Sequence, residues 1–160
     1  PGRLRFAPIL RIAAEGLLWG ASMSGAALYA LVADQGRIAD PRVQTILAVY
    51  FSGGAIGYVL AFAATQLFAN RVSRRLTAIV AIILLAGFTL SATAGLVALD
   101  YRTYYAQWHE ALLSRDWFYQ QFFTALSSTY QFFVIGTRFY WPLGPVFLLL
   151  AGWWVSRRVS

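Results

Sequence analysis

Apolar residues run almost unbroken through residues 8–33, 43–69 and 76–99, and polar residues gather in the short stretches between them. Each run is long enough for a helix to cross a hydrocarbon layer, which takes about 20 residues. The breaks are clear: Gly36 and Pro41 punctuate a polar turn between Asp34 and Arg42, and a tight basic connection runs from Asn70 to Arg75. A fourth, shorter run lies near the C-terminus. From Trp141 to Trp154 it gives only about 20 Å of helix, so a full crossing has to begin near Phe132, and residues 132–156 are the expected fourth span. Pro142 and Pro145 interrupt the helical hydrogen-bond ladder there, which predicts a bend between Trp141 and Pro145. The pattern predicts an all-α integral membrane protein of four transmembrane helices, a single polytopic domain over residues 1–160.

Residues 100–131 have a different texture. Fifteen of the chain's 27 aromatic residues lie between Tyr101 and Trp141, with polar residues among them and no Gly or Pro before Gly136. This reads as one or two amphipathic helices lying at the outer membrane surface, where Trp and Tyr rings are half apolar and half hydrogen-bonding. The aromatic density exceeds what one interfacial helix needs. Trp108, Trp117, Phe118, Phe122 and Phe123 are therefore candidates for a surface that docks a partner.

Small residues recur at four-residue spacing in the first three spans: Gly16, Gly20 and Ser24; Gly53 and Gly57, continued by Ala61 and Thr65; Gly87, Ser91 and Gly95. Lipid offers no hydrophobic drive for helices to associate, so close packing along such stripes has to supply it. These are the expected helix-packing positions, toward helices of this chain or of another.

Charge sets the expected orientation. Arg3, Arg5, Arg11, Arg71, Arg74, Arg75, Arg157 and Arg158 fall in the first, third and fifth inter-span segments, with Glu15 as their only acidic companion. The alternate segments carry Arg37, Arg42, Arg102, Arg115 and Arg138 against Asp34, Asp40, Asp100, Glu110 and Asp116, which cancel. The whole formal charge of +7 thus lies on one side, which predicts both termini in the cytoplasm. A chain with 59% hydrophobic residues, 12% charged residues and a mean hydropathy of +0.60 belongs in lipid. The pI of 10.3 does not point to nucleic acid, because the arginines are split among span ends, where topology and anionic headgroups require them. Every basic residue is Arg and none is Lys, the bias of a GC-rich bacterial genome, so the bacterial inner membrane is the expected location. The apolar run from Phe6 to Ala33 is too long for a signal peptide, and Pro1 fits removal of a start Met, so an uncleaved first span and a nearly complete N-terminus are expected.

Reactive chemistry is sparse. There is no Cys, hence no disulfide or thiolate, and His109 is the only histidine, beside Glu110 and near Arg115 and Asp116. Glu15 stands inside a span with Arg11 one turn away, an interfacial ion pair, and Arg138 is an anchor for a lipid phosphate or a partner's carboxylate. No nucleophile triad, phosphate loop or paired catalytic carboxylates occur, so the chain is expected to be no enzyme and to carry no cofactor beyond bound phospholipids. The reading favoured by these features is a non-catalytic accessory or assembly subunit of a larger membrane complex. Its competitors are a small transporter working as an oligomer and the membrane input domain of a sensor.

Overall fold

The structure, a computed structural model, describes residues 6–35, 41–69 and 73–159. Arg3, Arg5, Gly36, Arg37, Asp40 and Arg71 lie outside the described residues, as do the side chains of Asp34, Arg74 and Arg158. Five α-helices follow in order: α1 Phe6–Gln35, α2 Val43–Ala69, α3 Arg74–Tyr105, α4 Arg115–Val134 and α5 Leu143–Val159. No strand occurs among the described residues. Within α1, α2 and α3, the stretches Ile9–Ala33, Val43–Phe68 and Arg75–Trp108 are long and apolar enough to cross a membrane, which marks a multi-pass membrane protein.

Small residues decide how the long helices meet. Gly20 of α1 lies under Phe51 and Ala55 of α2, where an added Cβ would stand 2.5 Å from the Phe51 carbonyl oxygen. Ser24 Oγ donates to the Leu47 carbonyl at 3.1 Å, which sets α1 and α2 antiparallel. Gly53 and Gly57 of α2 face Thr93 and Thr89 of α3 in the same antiparallel sense. Along α3 the buried positions Thr77, Ala81, Leu85, Thr89 and Thr93 recur at every fourth residue, a ridge that winds by about 40° per step around a 3.6-residue helix. α5 returns along α3 with Gly152 against Ile82. Arg11, Arg75 and Arg157 therefore share one end of the bundle, and Arg42, Asp100 and Arg102 share the other.

Three boundaries differ from the sequence reading. α3 does not stop at Leu99 but runs to Tyr105 and tightens into a 3-10 turn, Ala106–Trp108. No Gly or Pro lies in that stretch, and Asp100 and Arg102 sit on the helix surface without breaking its ladder. Residues 100–131 are accordingly divided between the end of α3 and α4, with a turn between them. Phe132 opens no span; it belongs to the last turn of α4, and a 3-10 segment, Gly136–Tyr140, leads to the break at Pro142 before α5 begins at Leu143. Proline lacks the N–H that a continuing helix requires and keeps its predecessor out of the α region, so Trp141 is extended. With 17 residues, α5 is about 26 Å long, short of the roughly 30 Å hydrocarbon layer.

Candidate functional site

The end of α3 and α4 form an antiparallel hairpin whose register is set by polar side chains. Tyr101 Oη donates to Gln131 Oε1 at 2.6 Å, Gln121 Nε2 lies 2.7 Å from His109 Nδ1, and the Glu110 N–H donates to Gln120 Oε1 at 2.9 Å. Ser114 caps α4 by accepting from the Trp117 N–H at 3.1 Å, and Asp116 in the first turn suits the positive end of the helix dipole. Just before the cap, Leu113 has φ of 69°, a left-handed conformation uncommon for a branched side chain, and both Leu112 and Leu113 project outward at the tip.

The polarity of α4 is reversed with respect to a helix packed on a soluble core. Gln120, Gln121, Ser128 and Gln131 occupy the side toward its own chain, together with buried Phe132. Phe118, Tyr119, Phe122, Phe123, Leu126, Tyr130 and Phe133 are each at least half exposed. At 3.6 residues per turn these seven fall within an arc of about 140°. Six half-exposed aromatic rings present roughly 600 Å² of surface, at the top of the range that a monomeric surface tolerates. The charged pair Asp100 and Arg102 is exposed on α3 below the level at which α4 begins, so the N-terminal half of α4 stands beyond the charged end of the apolar bundle.

The residues singled out from sequence separate in space. Phe118, Phe122 and Phe123 share the exposed face of α4, whereas Trp117 is half-buried on the opposite side, with its ring edge-on to Phe118 at 5.0 Å. Trp108 belongs to a different cluster, packed on Tyr104 and Tyr105 at the end of α3 at 5.4 and 5.8 Å, beside a polar cleft lined by Arg42 and Asp100. Gly16, Gly20, Gly53 and Gly57 sit at helix contacts within the chain, and Ser24 bonds across one. Among the described residues nothing lies within 4 Å of a Cβ added at Gly87 or Gly95, and Ser91 on the same edge of α3 is exposed. Arg138 is exposed in the 3-10 segment, and His109 is joined to Gln121. No group of three or more His, Cys, Asp or Glu positioned to hold a metal occurs among the described residues.

Glu15 is more built-in than its spacing from Arg11 implied. Its carboxylate is only 13% exposed, accepts a 2.8 Å hydrogen bond from the Tyr58 hydroxyl, and lies 3.7 Å from Arg11 Nε. Three other aromatic side chains carry polar contacts that sequence reasoning missed. Trp19 Nε1 donates to Thr89 Oγ1 at 3.0 Å, Tyr140 Oη pairs with Thr93 Oγ1 at 2.8 Å, and the Tyr50 hydroxyl donates to the Gly136 carbonyl at 2.5 Å. The available signal was the presence of Tyr50 and Tyr58 inside an apolar run on the edge that carries Gly54, Gly57 and Ala61. Among the described residues no buried side-chain nitrogen or oxygen lacks a partner. No protein-family model, curated protein or solved structure matches this chain.

Proposed function

We propose that this chain is a non-catalytic accessory or assembly subunit of a larger complex in a bacterial inner membrane, and that the α3–α4 hairpin docks a partner subunit on the outer side. The observation that carries this reading is the reversed polarity of α4. Its glutamines are spent on its own chain, and its aromatic face points outward from a segment beyond the charged end of the bundle. Such a face in water costs free energy in proportion to its area, and a partner surface removes that cost. Aromatic rings are also the side chains that anchor interfaces best, since they contribute area with little rotamer entropy to lose. The uncovered edge of α3 at Gly87, Ser91 and Gly95 offers a second contact for a neighbouring helix. In this reading α5, together with the preceding 3-10 segment, is the fourth crossing, and the arginine-bearing end of the bundle is cytoplasmic.

Purification through a tag in a mild detergent, followed by native gel and mass spectrometry, tests the proposal. The expected result is a membrane partner at fixed stoichiometry, lost when Phe118, Phe122 and Phe123 are replaced together by Gln while the bundle keeps its melting temperature. Recovery of the chain alone or only as a homo-oligomer overturns the reading and turns attention to transport in reconstituted vesicles. A partner retained by the triple variant overturns the hairpin as its docking surface.

A further inference from the structure

The seam between α1 and α5 is not closed. Two cavities lie along it, and Trp19 lines both. One, about 220 Å³, is bounded by Met23, Thr89, Tyr140, Gly144 and Leu148. The other, about 390 Å³, is bounded by Leu18, Ser22, Phe147, Ala151 and Trp154, and reaches Glu15 and Tyr58 at the arginine-bearing end. The lining of the first is almost wholly apolar; the second carries Glu15 and Tyr58 at that end and, about two turns deeper, Ser22, whose hydroxyl donates to the Leu18 carbonyl of its own helix. Arg11 stands 3.7 Å from Glu15, and the Arg157 guanidinium lies 3.8 Å over the ring of Trp153, which also lines the second cavity.

We infer that this seam holds one acyl chain of an anionic phospholipid, with its phosphate between Arg11 and Arg157. Length fits: Gly144 and Trp154 bound the seam on α5, and the ten residue steps between them span about 15 Å, the depth of one leaflet of a roughly 30 Å hydrocarbon layer. Charge selects the headgroup. Two arginines against one carboxylate leave the rim at net +1 among these three residues, and Glu15 is already engaged by Tyr58 and Arg11. A phosphate with no compensating cation gains from that rim, whereas a zwitterionic headgroup brings its own positive charge to it. Trp19, tied to Thr89 by its indole N–H, gives the chain a fixed apolar wall midway along the seam. This site is independent of the partner-docking hairpin, which lies at the other end of the bundle.

The test is native mass spectrometry of the full chain released from detergent containing equimolar phosphatidylglycerol and phosphatidylcholine with identical acyl chains. The expected result is one retained phosphatidylglycerol per chain, favoured over phosphatidylcholine by about fivefold, the pull of one net basic charge on an anionic headgroup. Replacing Arg11 and Arg157 together by Gln should remove the preference, and Ala151→Phe, which fills the seam, should remove retention of both lipids. Equal retention of the two lipids by the unmodified chain overturns the proposal, and so does a preference that survives Ala151→Phe. A second measurement avoids dependence on those variants. Phosphatidylglycerol brominated in mid-chain should quench Trp19 fluorescence in a variant whose other tryptophans are Phe, since Trp19 is shielded from bulk lipid by its own helices. Quenching no stronger than with brominated phosphatidylcholine sinks the proposal.

Discussion

The indole N–H of Trp19 donates to the hydroxyl of Thr89 at 3.0 Å, joining α1 to α3 across 70 positions of sequence. Both side chains are buried, and Thr89 is also the residue against which Gly57 of α2 packs. Three helices therefore converge on one threonine. Hydrogen bonds between membrane helices contribute about 0.6 to 2 kcal/mol, because the separated helices find alternative partners. Trp19→Phe and Thr89→Val are each expected to cost about 1 kcal/mol in a reversible detergent unfolding titration. The double variant should cost less than the sum of the two, and strict additivity would show that the bond contributes nothing.

The glycine stripes are predicted to behave in opposite ways. An added Cβ at Gly57 stands 2.6 Å from the Thr89 Cα, so Gly57→Ala has to push α2 and α3 apart at a cost of about 1 to 3 kcal/mol. Gly87→Ala and Gly95→Ala meet nothing within 4 Å and should leave the isolated chain unchanged or slightly more stable. Melting temperatures of the three variants in one detergent check this. If a partner helix rests on that edge of α3, Gly87→Leu will weaken its recovery without lowering the melting temperature.

The two sides of α4 should separate stability from association. Phe132 is 2% exposed and packs on Tyr50 at 6.4 Å between ring centroids. Phe132→Ala is expected to destabilise the fold by about 3 to 5 kcal/mol. Phe122→Ala, on the exposed face, should change stability by less than about 0.5 kcal/mol while reducing partner recovery. Equal melting temperatures for the two variants would contradict the orientation of α4.

At the hairpin tip, Ser114→Ala removes the α4 cap and is expected to cost about 1 kcal/mol, read as faster hydrogen exchange over the first turn after Ser114. Leu113→Gly should slow that exchange, because a left-handed leucine costs about 1 to 2 kcal/mol that glycine does not incur. Faster exchange in Leu113→Gly would refute the strained turn.

Much of the architecture was legible in the chain because it depends on local quantities. The length and apolarity of residues 8–33, 43–69 and 76–99 predict long helices, and the helices are there, the first two with nearly those bounds and the third running on to Tyr105, since a backbone in lipid satisfies itself only within a helix or a closed barrel. Pro142 announced the break before α5 because a missing N–H acts wherever it falls. Tertiary structure alone decided which faces meet. The stripes at Gly53 and Gly87 have the same spacing, but one lies against Thr93 and the other against none of the described residues. Spacing places residues on an edge without naming the opposite helix. The same holds for α4: its sequence shows two faces, and only the pairing of Gln131 with Tyr101 of α3, and of Gln120 and Gln121 with Glu110 and His109 in the turn between the helices, turned the aromatic face outward. Glu15 and Tyr58 are 43 positions apart, and no local pattern links a carboxylate to a hydroxyl on another helix. Sequence by itself determines what each segment is able to bury; the packing of the segments on one another determines what remains exposed for lipid or a partner to cover.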